Sequence, residues 1–144
     1  FSNAAMQRGT ELEPMARSVY ELITGREVHE VGFILHPTIE NLGASPDGIV
    51  EDGLIEIKCP NTATHIDTLL SDKVPSKYVT QMMWQMACTE RAWVDFVSYD
   101  PRFPHESQLF VCRVERDQEV IAELEAEVSV FLKEVESLVR KIRK

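Results

Sequence analysis

The sequence predicts one α/β domain with a mixed sheet, and three observations predict it. Apolar residues recur at helical spacing near both ends of the chain, short β-branched runs lie between them, and segments of the two kinds are interleaved. With 144 residues the chain is long enough to bury a substantial core. An apolar fraction of 44% with charges of both signs argues against disorder. No Gly-, Ser- or Pro-rich linker divides the chain and no internal repeat is visible, so residues 1–144 read as a single domain.

Residues 4–23 carry Met6, Met15, Val19, Leu22 and Ile23 at roughly helical spacing, with Thr24-Gly25 as a C-terminal stop. Pro14 predicts either a kink in this helix or the start of a second one. Residues 28–36 alternate in part, through Val28, Val31, Phe33 and Leu35, and predict a strand. Strands over 43–50 and 54–58 follow, joined by Glu51-Asp52-Gly53, whose Asp-Gly pair is a hairpin signal. "NTATHIDTLLS" begins a short helix, and Pro75 opens a longer one, "PSKYVTQMMWQMACTE". "RAWVDFVSYD" and "SQLFVCRVE" are strands. Residues 117–142 form a last amphipathic helix with Ile121, Leu124, Val128, Phe131, Val135, Leu138 and Ile142 on one face. Its early acids and its terminal "RKIRK" suit the helix dipole, and that basic cluster reads as a solvated helix end.

No run approaches the length of a membrane span. Cys59, Cys88 and Cys112 are odd in number and unclustered, as in reduced cytosolic proteins, and form neither a disulfide framework nor a zinc site. The net charge of −9 counts against a broad nucleic-acid-binding surface. Residues 1–72 hold twelve acids and four bases, residues 73–115 five of each, and residues 116–144 seven acids and six bases. The acidity therefore sits in the first half. An acidic half is either a solvated surface or, in part, a set of metal ligands whose charge a divalent ion offsets. The start of the chain, "FSNAAMQRG", contains Ser-Asn-Ala, which resembles a cloning scar, and leads straight into a helix. Native residues upstream are expected to be absent from this sequence.

The stretch "GASPDGIVEDGLIEIKCP" carries the chemistry. Strand alternation puts Glu56 and Lys58 on one side and Ile55 and Ile57 on the other. The hairpin folds Asp47 back toward Glu56, which brings two carboxylates and an ammonium together. A bland alternative has equal weight on spacing alone: an exposed hairpin with a loose Glu–Lys pair. In the first reading Asp47 and Glu56 are hard oxygen ligands for Mg²⁺ or Mn²⁺, with the Ile57 carbonyl as a further donor. Lys58 orients or deprotonates the attacking water and offsets charge on a phosphate. The pattern D-x8-E-x-K thus supplies the parts for phosphodiester hydrolysis.

"SPDG…IEIKCP", with "RGTELEPMAR" upstream and "YVTQMMWQM…AWVDFVSYDPR" downstream, resembles the lambda-type alkaline exonucleases of phages, the YqaJ-type viral recombinase family within the PD-(D/E)xK nucleases. The resemblance implies a restriction-endonuclease-like core, with a central mixed β-sheet flanked by helices. It also implies roles: Asp47 and Glu56 as metal ligands, Lys58 as the catalytic lysine, and Glu13 as a helix glutamate near the metals. Gln81 matches a glutamine beside the active site, with Tyr78 and Gln85 sharing its helix face on the substrate side. Ser45 matches a serine that binds the 5′-phosphate of a DNA end. Without the family, Glu13 reads as an exposed helix acid, Ser45 as a turn serine, and Tyr78 with Gln85 as a polar stripe. No catalytic role falls to His29, His36, His65 or His105, and Trp84 and Trp93 read as core. The family's N-terminal region, which supplies a phosphate-pocket arginine and a second serine, has no counterpart in these residues.

The resemblance implies a Mg²⁺-dependent 5′-to-3′ exonuclease acting on double-stranded DNA ends, a ring-shaped homotrimer working with a single-strand annealing recombinase. Such a protein is phage- or prophage-encoded and acts in the bacterial cytoplasm, with no membrane partner. Two other readings stay open: a restriction- or repair-type endonuclease, and a DNA-end-binding remnant without activity.

Overall fold

The computed structural model describes residues 3–143. Helix α1 (Ala4–Thr24) is capped by Asn3, whose side chain accepts the Met6 N–H at 2.9 Å, and it ends at Gly25 in the left-handed region with φ 71°. Pro14 lies inside this helix, so no second helix begins there.

The strand expected over 28–36 shrinks to β1 (Ile34–Leu35), which pairs with β2 (Gly43–Ala44), and to an isolated bridge between His29 and Ile49. Glu27, Glu30 and Gly32 interrupt the apolar alternation, and Phe33 and Leu35 are exposed, so no buried face enforces pairing. The strand expected over 43–50 is also split. Ser45-Pro46-Asp47 leaves the ladder, Pro46 having no N–H to give it, and β3 (Gly48–Val50) starts afterwards.

Strand β4 (Gly53–Lys58) runs antiparallel to β3, with Gly48 opposite Ile55 and Val50 opposite Gly53. The turn is therefore Glu51-Asp52, one residue earlier than the expected Asp52-Gly53, and Glu51 takes the left-handed φ of 49°. Gly53 is needed for a different reason: a Cβ there would lie 2.2 Å from Trp93 Cδ2. The crossover from β4 carries α2 (Thr62–Ser71) and α3 (Ser76–Thr89) to β5 (Trp93–Tyr99), which pairs parallel to β4. Strand β6 (Leu109–Glu115) returns antiparallel to β5, completing the order β3-β4-β5-β6, and α4 (Gln118–Arg143) follows. The mixed sheet flanked by helices is the architecture the sequence predicts.

The sheet separates two cores. On one side Leu54, Val94, Phe96 and Phe110 meet Met82 and Met86 of α3 and Ile121 of α4. On the other, Ile55, Ile57, Val97 and Tyr99 meet Ala16 and Tyr20 of α1. Every residue of β5 is buried, including Asp95, whose carboxylate accepts the Tyr20 hydroxyl at 2.6 Å and the Arg113 guanidinium at 2.8 and 3.2 Å. That guanidinium also stacks 3.4 Å from the Trp93 ring centre. The apolar face of α4 is a core face only at its start: Ile121 is buried, whereas Phe131, Leu138 and Ile142 are exposed.

Gly53→Ala is expected to destabilise the protein by about 1–3 kcal/mol, since the Trp93 ring is locked by Arg113 and cannot give way. Denaturant unfolding measures this, and an unchanged midpoint would show that the ring yields.

Candidate active site

The site forms where β3 stops short of the end of β4. Asp47, one residue before β3, does not continue the ladder. Its Oδ2 accepts the Ile57 N–H at 2.7 Å and caps the open edge that β3 leaves. In a strand the N–H and C=O of one residue leave toward the same edge, so the Ile57 carbonyl also faces Asp47. Glu56 points to the α3 side, where it is 5% exposed. Its Oε2 accepts the Gln85 amide at 2.6 Å, and its Oε1 lies 3.4 Å from Lys58 Nζ and 3.5 Å from Gln81 Nε2. Lys58 Nζ also sits 4.8 Å from the centre of the Tyr78 ring, which is stacked on Phe96 and has Lys77 Nζ at 5.0 Å.

Burial makes Glu56 harder to ionise, and the Asp47 charge adds to this, against the Gln85 and Lys58 donors. Asp47 is raised by burial as well, opposed by the Ile57 N–H and Lys58. Glu13 is raised by burial and then by Asp47, while Arg17, 3.0 Å from its Oε2, opposes the shift. The Asp47–Glu56 pair, with Glu13 close enough to feel the Asp47 charge, forms a site short of positive charge. Among the described residues no three His, Cys, Asp or Glu side chains converge to hold a metal. The donors at hand are two carboxylates and the Ile57 carbonyl. They are hard oxygen ligands that leave positions for water and phosphate oxygens, which fits Mg²⁺ or Mn²⁺.

An open cleft of about 570 Å³ lies next to this pair, lined by Met6, Gly9 and Glu13 of α1, by Ile57 and Lys58, and by Tyr78. Cys59 also lines it, but burial pushes its thiol up to about 11, so it stays a neutral thiol at physiological pH. Ser45 is exposed two residues before Asp47. Gln81 is exposed, whereas Gln85, expected on the substrate side, is buried behind Glu56. No histidine lines the cleft. His65 is buried between Ser98 and the Ser107 carbonyl, and His36 bonds Glu125 at 2.5 Å and stacks on Trp84.

Sequence reasoning missed Arg8. Its guanidinium donates to the Pro60 carbonyl at 2.7 Å and lies 3.3 Å from the buried Asp100, pinning α1 to the end of β4. Its partners are distant in sequence, and no local pattern reports them.

Because the folded state raises the carboxyl pKa values of Asp47 and Glu56, it holds their protons more tightly than the unfolded chain does. Their contribution to stability is therefore greatest below the ordinary carboxylate range, roughly pH 4, and falls as pH rises through the raised values. Asp47→Asn keeps an acceptor for Ile57 and removes one charge. In EDTA this variant is expected to unfold later than wild type at pH 8, with the difference vanishing in acid. A variant less stable than wild type at pH 8 would show that the two charges do not oppose folding.

The YqaJ-like viral recombinase domain matches residues 1–92. No curated protein matches the chain. Among solved structures, LHK-Exo in complex with dAMP superimposes with TM-score 0.95 at 59% identity, covering 99% of this chain and 73% of that one. The alkaline exonuclease LHK-Exo from Laribacter hongkongensis does so with TM-score 0.95 at 58% identity, over 99% and 74%. A phage-related exonuclease from Haemophilus somnus 129PT, at 19% identity and TM-score 0.78 over 99% and 75%, shares the fold. With nearly two thirds of its length matched by the family and its whole sheet shared with these exonucleases, the chain belongs to the YqaJ-like viral recombinase domain family and has its nuclease fold.

Proposed function

We propose that the protein is a phage or prophage exonuclease that digests double-stranded DNA from the 5′ end with Mg²⁺ or Mn²⁺. The observation that carries the reading is the partly buried Asp47–Glu56 pair, with the Lys58 ammonium 3.4 Å from Glu56 and lining an adjacent open cleft. The exonuclease relatives support it, and the dAMP held by LHK-Exo matches a mononucleotide product.

Asp47, Glu56 and the Ile57 carbonyl would hold the ion. When bound, the ion activates water and neutralises charge on the scissile phosphate. Lys58 directs N–H donors at that water and at the phosphoryl oxygens. As the water oxygen attacks phosphorus, the bond to the 3′ oxygen breaks. Gln81 and Tyr78 border the substrate, Glu13 adds a carboxylate on the α1 side, and Ser45 receives the terminal 5′-phosphate. The enzyme works as a ring-shaped trimer in the bacterial cytoplasm and passes its single strand to an annealing recombinase. Among the described residues no helix is long and apolar enough to cross a membrane. A ring answers the acidity of the chain, because a threaded duplex is retained without high affinity per contact.

The test is digestion of a linear duplex with 5′-phosphate or 5′-hydroxyl ends, with and without Mg²⁺, beside a closed circular duplex. Mononucleotides released only from phosphorylated linear ends and only with metal are expected. Cleavage of the circle indicates an endonuclease, and no cleavage at all indicates a binding remnant. Lys58→Ala should keep duplex binding and lose about 10²- to 10⁴-fold in cleavage. Near-wild-type cleavage by that variant moves the lysine's role elsewhere.

Run length separates the ring from a monomer. Initial binding should weaken steeply with salt, while a complex already threaded keeps digesting a long duplex after competitor DNA is added. An immediate stop means distributive hydrolysis and no ring.

A further inference from the structure

The face of α3 that packs on the sheet is rich in methionine, with Met82, Met83 and Met86 buried. Gln85 lies among them at 2% exposure. Its amide nitrogen donates to Glu56 Oε2 at 2.6 Å, while its amide oxygen is buried with no hydrogen-bond partner among the described residues. A half-satisfied buried amide destabilises a fold, and methionine fills nearly the same volume without that cost. Flipping the amide does not help, because it would set the carbonyl oxygen against the carboxylate. What the amide provides is the bond to Glu56.

That bond divides the two oxygens of Glu56. Oε2 is engaged from behind by Gln85. Oε1 is left toward Lys58 at 3.4 Å and toward the exposed Gln81 at 3.5 Å. Gln81 and Gln85 are one helical turn apart on α3, yet one faces solvent and the other lies beneath the ligand.

We propose that Gln85 is a positioning residue: it fixes Glu56 so that Oε1 alone is presented to the metal. The inference rests on Asp47 and Glu56 holding the ion. A donor behind a ligating carboxylate sets its orientation, and losing such a donor typically weakens metal affinity or activity by about 10- to 100-fold. Without it, Glu56 can turn within its site and offer either oxygen.

The experiment uses the full chain with Gln85→Met and Mn²⁺ alone as the calorimetric probe, beside Mg²⁺-dependent digestion of a linear duplex. Mn²⁺ affinity is expected to fall about tenfold or more. At fixed, subsaturating Mg²⁺, kcat should fall by a similar factor while KM for the duplex stays within about twofold. The unfolding midpoint in EDTA should stay near that of wild type, because removal of the half-satisfied amide offsets the loss of Glu56's donor. In a Glu56→Gln background the same change should have no further effect on metal binding. Mn²⁺ affinity within about twofold of wild type would reduce Gln85 to a core residue and overturn the proposal. A large fall in the EDTA midpoint, or a variant that does not fold, also overturns it, since the amide would then be scaffold first. Wild-type Mn²⁺ affinity in Glu56→Gln alone is a separate outcome: it sinks the metal site itself.

Discussion

Two carboxylates held side by side with little water and no full counter-charge are the constraint around which this domain is arranged. Asp47 and Glu56 are both raised by burial, and Glu56 further by the Asp47 charge. They persist because each has a donor placed by a different element. The backbone of β4 gives Asp47 the Ile57 N–H, and α3 gives Glu56 the Gln85 amide. Lys58, on the same strand face as Glu56, supplies an ammonium 3.4 Å from it. The early end of β3 and the polar residues on a methionine-rich helix are local faults in packing and pairing, and both serve this pair. Such a fault is retained where a site needs pre-set ligands, and the rest of the fold supplies the stability that the site gives up.

Much of this was legible in the sequence because period-two alternation on β4 leaves no freedom of face. A register slip of one residue would turn Ile55 and Ile57 toward α3 and Glu56 into the α1 core, so the pattern alone puts Glu56 and Lys58 together. The long helices and the largely apolar β5 were legible for a similar reason: the pattern of apolar residues reports the burial. The turn was misplaced by one residue because Gly53 answers to Trp93, a residue on another strand, and not to turn geometry. The strand over 28–36 failed because Val28 alone packs on the core while Phe33 and Leu35 have no layer to cover them. The depth of Gln85 was not legible at all. Helical spacing places Tyr78, Gln81 and Gln85 on one side of α3, but only the packing of α3 on the sheet decides which end of that stripe is buried.

The arginines show how an acidic chain can still meet a phosphate polymer. Among the described residues, Arg8 and Arg102 are spent on Asp100, Arg17 on Glu13 and Glu30, Arg26 on Glu51, and Arg113 on Asp95. Arg91 and Arg116 donate to backbone carbonyls. These guanidinium groups hold elements together, as their fork geometry suits them to do. At the cleft the positive charge comes from lysine instead: Lys58 lines it, and Lys77 lies against the same Tyr78 ring. A lysine ammonium is a compact charge that asks little of its partner's geometry. Contacts of that kind suit a substrate recognised through its backbone, whose bases pass through unread. The division of labour follows from the acidic pair. With so many arginines committed to carrying the sheet and its helices, the base left beside the two carboxylates is Lys58.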